Sequence, residues 1–231
     1  MGEVYNRNAG GVSEGGPLRR QITNDSQVEE RSMLRRLLLA FVLSLTVFQG
    51  IEAGKYNRVV DIGDKPQGWK QLPGTDGKEH ALADLTDAKA VAVIFTCNDC
   101  PVAIAYQDRI KQLAKDYGDQ GLQVIAINVN KGESIFGMKL RAKAEDFQFP
   151  YLYDESQETA KSYGAVCTPH VFLLDGKRAI AYMGAFDDNW QKPAAVSKKY
   201  LEDAVIAVLD GKSPEVAESK QVGCAIRWNS K

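Results

Sequence analysis

The chain has 231 residues, 44% of them apolar, with 29 basic and 30 acidic side chains and a formal net charge of −1. No basic run and no block of like charge occurs, so neither nucleic acid nor an acidic lipid surface is an implied partner, while the apolar fraction can form a real core. The four cysteines are too few for a disulfide-dense scaffold.

Residues 1–32 are polar, with little to bury, and read as an atypical or untranslated extension. Residues 33–53 read as a secretory signal. Met33 stands where such a signal begins, Arg35 and Arg36 form its basic start, and Leu37 to Phe48 is an uncharged apolar run. Cleavage after Ala53 follows from "IEA" before Gly54. That predicts an extracytoplasmic protein, periplasmic or secreted, with an uncleaved membrane anchor as the alternative. The folded domain is then 54–213, with 214–231 as a tail packing on it.

Val59–Leu85 is broken by Gly and Pro, and Asp76-Gly77 predicts two short strands around a turn. Ala90–Phe95 is continuously apolar and reads as a central strand buried on both faces. Val102, Tyr106, Ile110, Leu113 and Tyr117 recur at helical spacing, ending near Gly118. Leu122–Val129 is the next central strand, so the unit is strand–helix–strand with parallel pairing. A helix is expected over Met138–Phe147, a strand over Pro150–Asp154, and a short helix over Ser156–Gly164 with Ser156 as its cap. His170–Gly184 reads as an antiparallel hairpin around Asp175-Gly176, and Ala195–Leu209 as an amphipathic helix. The tail is polar until "CAIRW", where Cys224, Ile226 and Trp228 look made to pack on the domain. The fold class is α/β.

Cys97 stands where a buried strand ends and a helix begins. Unpaired N–H groups of a helix's first turn favour a thiolate, which lowers a thiol from its free value of ~8.5. Cys100 lies one turn further on, able to displace a mixed disulfide on Cys97, and Pro101 suits a first helical turn. Cys97 is the candidate attacking thiol and Cys100 the resolving thiol. A static bridge and half of a zinc site are the alternatives, though no second ligand pair appears at zinc spacing.

With "CNDCPVAIAYQDRI", "PYLYDESQETAKSYGAVCTPHVFLLD", "GAFDDN" and "GCAIRW", the chain resembles the thioredoxin superfamily, and within it the peroxiredoxin-like, redoxin branch that retains a CxxC. The resemblance covers roughly Ile62–Trp228. It implies a thioredoxin-like fold: a central mixed sheet flanked by helices, with an N-terminal β-hairpin extension and a C-terminal tail. It also implies that Thr168 and a cis Pro169 face the dithiol and bind substrate, because backbone there is left to pair with an extended chain.

The sequence departs from better-known relatives. No buried acid precedes the first cysteine, where Val91, Val93 and Phe95 are apolar. Asn98 and Asp99 stand between the cysteines, and an ionised Asp99 would raise Cys97 and make the pair more reducing. Thr96 adjoins Cys97, but the proline and arginine of superfamily peroxidases find no counterpart. Cys167 and Cys224 are accessory thiols. Of the three pairings open to four cysteines, Cys97–Cys100 with Cys167–Cys224 is preferred, with a buried free Cys167 as the alternative. His170 reads as a polar edge residue rather than a tuner of the dithiol, and Asp187-Asp188 as a solvated loop.

These readings imply an exported thiol–disulfide oxidoreductase without a bound cofactor. Its partners would be disulfide-containing proteins and an upstream thiol reductant, with no nucleic acid and no stable membrane association once the signal is cleaved. The alternatives are a thiol peroxidase and a Cu(I)-binding assembly factor using Cys97, Cys100 and His170. The second is disfavoured because copper-binding relatives space their cysteines three residues apart.

Overall fold

A computed structural model describes residues 54–230. The expected extension and signal, residues 1–53, lie outside the described residues. Among those described, no helix is long and apolar enough to cross a membrane.

The chain enters the fold through a small antiparallel pair, β1 (Leu72–Pro73) and β2 (Glu79–His80), in the register Leu72↔His80. Gly77 sits in its turn at φ +82°, a conformation that favours glycine. β3 (Ala90–Thr96) follows and is completely buried from Ala90 to Phe95, as its unbroken apolar run requires. α1 (Pro101–Tyr117) turns back over it, buries Val102, Ala103, Tyr106, Ile110 and Leu113, and stops at Gly118. β4 (Leu122–Asn128) then lies parallel to β3 over its whole length, from Ala90↔Leu122 to Thr96↔Asn128.

α2 (Ile135–Ala144) begins three residues earlier than the apolar spacing predicts, because the Ser134 hydroxyl accepts from Gly137 N at 3.2 Å and caps it. β5 (Tyr151–Tyr153) pairs parallel with β4. α3 (Glu158–Ser162) has Gln157, in the left-handed region and without a side-chain cap bond, at its N-cap position; the Ser156 hydroxyl accepts from Glu158 N at 3.2 Å and donates to Asp154, whose other oxygen accepts from Ala160 N at 3.0 Å. After the two-residue β6 (Cys167–Thr168), β7 (His170–Asp175) and β8 (Ile180–Gly184) form the expected hairpin, β7 lying antiparallel against β3.

α4 (Tyr200–Leu209) starts five residues later than expected. Residues 193–195 form a 3₁₀ turn, and the next stretch is tied to the preceding loop by Ser197 N and Oγ on Asp188 and by Asp188 N on Lys198 O. The tail ends in β9 (Cys224–Ala225), antiparallel to β6.

The five-stranded sheet runs β5-β4-β3-β7-β8. Alternation along β3 sends Ala90, Ala92 and Ile94 to one face, where α1 and α4 pack, together with Cys97 and Cys100. Val91, Val93 and Phe95 face the other way, onto Trp69, Leu82, Ala160 and Tyr163 and onto Ile226 of the tail. Met138 of α2 packs with Tyr151 at the β5 end. The strand–helix junction carrying the two cysteines is therefore fixed from beneath by the central strand and from above by α1.

Candidate active site

The loop between β3 and α1 carries Cys97 and Cys100, which are only 2% and 3% exposed. Cys100 is the N-cap of α1: its sulfur accepts from Ala103 N at 3.4 Å, and Pro101 takes the first helical position. This corrects the expectation that the helix terminus acts on Cys97. Because α1 starts at Pro101, the cap falls on the second cysteine.

The loop is held by groups from elements that follow it in the chain. Asn98 N donates to Glu133 Oε1 at 2.7 Å, Arg141 donates to Asn98 O at 3.2 Å, and Tyr151 donates its hydroxyl to Asn98 Oδ1 at 2.9 Å. Asn128 joins the set through Glu133 Oε2 and the Tyr151 oxygen, both at 2.9 Å. Glu133, Arg141 and Tyr151 have no local signature relative to the cysteines, and the sequence gives no hint of their convergence. Glu133 brings an acidic group beside the dithiol loop from a segment that follows Cys97 in the chain, not one that precedes it. Thr96 closes β3, its carbonyl accepting from Val129 N at 3.3 Å.

On the other side stand Thr168 and Pro169, joined by a cis peptide bond. Thr168 Oγ1 is hydrogen-bonded to Cys97 Sγ at 3.2 Å, and Thr168 O accepts from the Cys100 thiol at 2.9 Å. Thr168 thus meets both thiols. Its backbone, expected to pair with substrate, is already paired with the tail in the register Thr168↔Cys224.

Cys97 and Cys100 titrate together. The proximity of the Cys97 thiol, helped by the Cys224 thiol and Ala103 N–H and opposed by burial, holds Cys100 below the ordinary thiol range. The same proximity, with burial, pushes Cys97 well above the ordinary thiol range, against the donors Thr168 Oγ1 and Cys100 N–H. One proton of the pair leaves easily and the other is held. Asp99 is not the cause expected for the rise at Cys97: its exposed carboxylate pairs with Arg227 at 3.2 Å.

All four cysteines are free thiols. The preferred partnership of Cys167 with Cys224 is corrected by the β6–β9 register, which sets Cys224 opposite Thr168 and Cys167 opposite Ala225. Cys224 Sγ lies 2.7 Å from Cys100 Sγ. Cys167 is buried, donates to Pro169 O at 3.4 Å, and is pushed up to about 12 by burial. It has the character of a small apolar core residue.

His170 is not at an edge: it is 2% exposed in β7, paired with Phe95 of the central strand, its ring 4.5 Å from Phe172. Burial lowers it to about 3, so it is neutral. Among the described residues no group of three His, Cys, Asp or Glu side chains is placed to hold a metal ion. Asp187, expected to be solvated, is buried at 4% exposure and paired with Arg109.

A mixed sheet with two cysteines at the tip of its central strand, capped onto the next helix and faced by a cis-proline loop, defines a thioredoxin-like protein. The chain belongs to the Redoxin family, whose model matches residues 58–200. It is 25% identical over 155 residues to the thiol-disulfide oxidoreductase ResA of Bacillus cereus, covering 64% of this chain and 84% of that one. A hypothetical protein from Sinorhizobium meliloti has a similar solved structure, with a TM-score of 0.70, 35% identity, and coverage of 76% of this chain and 98% of that one. An uncharacterized conserved protein from Geobacillus kaustophilus gives a TM-score of 0.71, 31% identity, and coverage of 76% and 96%.

Proposed function

We propose that the chain is an exported thiol–disulfide oxidoreductase that reduces disulfides of protein partners through Cys97 and Cys100. The observation that carries this reading is the geometry of the two thiols, with Cys100 as N-cap of α1 and both sulfurs on Thr168. The name of the ResA relative supports the reaction class, and the apolar run Leu37–Phe48 supports export.

The pair that has lost one proton attacks through the form in which Cys100 holds the remaining proton: Cys97, then the thiolate, bonds to one sulfur of the partner's disulfide, and the other partner sulfur leaves with the electron pair. Cys100 then attacks Cys97, closes Cys97–Cys100 and releases the second partner sulfur. The partner gains two electrons and two protons; the pair loses them. An upstream thiol reductant restores the pair.

The cap on Cys100 decides which sulfur carries the partner. A sulfur of low pKa leaves faster in thiol–disulfide exchange, so opening of the bridge expels Cys100 and leaves the new bond on Cys97. By microscopic reversibility, closure starts from a partner bound to Cys97. Replacing Cys100 by serine therefore traps partners as mixed disulfides on Cys97, to be read by non-reducing electrophoresis and peptide mapping. Trapping on Cys97→Ser instead would reverse the roles, and trapping on neither would remove the reading.

A further inference from the structure

Cys100 stands between two thiols, and the exchange just described uses only one of them. We propose that Cys224 is a third redox thiol of this site, which takes the disulfide over from Cys97 by bonding to Cys100 and presents it to the reductant at the surface. This inference rests on the thiol–disulfide reading above.

The geometry has three parts. First, Cys224 Sγ lies 2.7 Å from Cys100 Sγ, so formation of a bond of ~2.05 Å needs only a small approach. Second, the tail delivers this thiol as a strand. β9 pairs with β6 with Cys224 opposite Thr168, and Gly223 is so close that a Cβ there would meet Thr168 O at 2.3 Å. Beyond Cys224 the strand is fixed by Ile226 N on Val166 O, Arg227 N on Asn130 Oδ1 and the Arg227–Asp99 ion pair. The chain thus places its own cysteine on the backbone edge that the resemblance reserves for substrate. Third, Cys97 and Cys100 are buried, whereas Cys224 is only partly so. A bridge ending at Cys224 is the one a second protein can reach.

The steps balance within the molecule. Cys224 gives up its proton and attacks the Cys100 sulfur of the Cys97–Cys100 bridge. That bond breaks, Cys100–Cys224 forms, and Cys97 leaves as a thiolate and takes up the proton. No electrons are gained or lost. Cys97 leaves more readily than its resting state suggests. The neighbouring Cys100 thiol, chief cause of its raised pKa, is now bonded elsewhere, while the Thr168 hydroxyl and Cys100 N–H still donate to it. A dithiol reductant next attacks Cys224 and expels Cys100, whose thiolate the Ala103 N–H receives. Its second thiol then frees Cys224. The reductant is oxidised by two electrons, and Cys100 and Cys224 return to thiols.

The test uses the full chain, reduced and mixed with oxidised glutathione, quenched in acid at successive times, alkylated and peptide-mapped. The expected result is Cys97–Cys100 first, then growth of Cys100–Cys224 with Cys97 alkylated. Cys97–Cys100 alone at every time, with Cys224 always alkylated, overturns the relay and leaves the exchange reading standing. No bridge to Cys100 at any time overturns both. In the Cys97→Ser chain the same probe is expected to yield Cys100–Cys224, and failure to do so overturns the relay. Reduction of the oxidised Cys224→Ser chain by reduced thioredoxin is expected to be about tenfold slower than that of the unaltered chain. An equal rate means that the disulfide is reached without the tail, and the relay is wrong.

Discussion

At the scale of single residues, the burial of His170 couples stability to pH. Its ring lies 4.5 Å from that of Phe172 at a tilt of 46°, its Nδ1 has no hydrogen-bond partner, and burial holds it neutral down to about 3. In the unfolded chain a histidine titrates near ~6.5. Between those values the unfolded state binds a proton that the folded state refuses. The stability from this group is therefore complete above ~6.5 and is lost as pH falls toward about 3. At pH 5 the loss is about 2 kcal/mol. His170→Leu keeps an apolar side chain in the site and removes the titration, so its urea midpoint falls less between pH 7 and pH 5 than that of the unaltered chain. Parallel falls would mean that His170 is solvated. The sequence places this histidine next to Pro169 but not in the sheet interior, because its burial is set by β3, and Phe95 lies 75 positions away along the chain.

At the scale of elements, the strand β9 is the least expected feature and the most exposed to a single substitution. Thr168 O and C lie 2.3 and 2.6 Å from the place of a Gly223 Cβ, and both are backbone atoms with little freedom to move. Gly223→Ala therefore lifts the strand from β6 and with it the seating of Ile226, 5% exposed, whose burial is worth about 2 kcal/mol. Hydrogen exchange at the Ile226 amide, which donates to Val166 O, is expected to quicken about 30-fold. An unchanged rate would mean that the tail is held by other contacts. Elements with a periodic apolar pattern, β3, α1, β4 and the β7–β8 hairpin, are legible within a residue or two. α2 and α4 are displaced because their starts are decided by polar ties, Ser134 on Gly137 and Ser197 on Asp188, which an apolar count does not register. β9 is two residues long, so its pairing with β6 leaves no pattern to read; "CAIRW" marks the tail as packing, which Ile226 does at 5% exposure while Trp228, expected to join it, stays exposed.

At the scale of the whole molecule, the dithiol is legible because it is local: strand, four-residue loop and helix are consecutive. Its setting is not. Cys224 is 124 positions from Cys100, and Glu133, Arg141 and Tyr151 reach Asn98 from three later segments. The same holds for the clamp between α1 and the loop after β8. Asp187 accepts from the Tyr106 hydroxyl at 2.8 Å, from Asn189 N at 2.9 Å and from the Arg109 guanidinium, which also donates to the carbonyls of Asn189 and Trp190. Arg109 lies 4.0 Å over the Tyr106 ring. Burial and then the Asp187 charge push the Tyr106 hydroxyl far above its ordinary value, so it stays a donor. An acidic pair after a strand looks like solvated loop until α1 is seen to bring a guanidinium and a phenol against it. Removing the carboxylate leaves a largely buried cation and a buried hydroxyl unpaired, which costs about 3 kcal/mol. Asp187→Asn keeps an acceptor for Tyr106 and is expected to lose less than Asp187→Ala. Denaturant unfolding of the two variants measures the difference. Equal and small losses would mean that the pair is solvated and that α1, with Cys100 at its start, is held on the sheet by its apolar face alone.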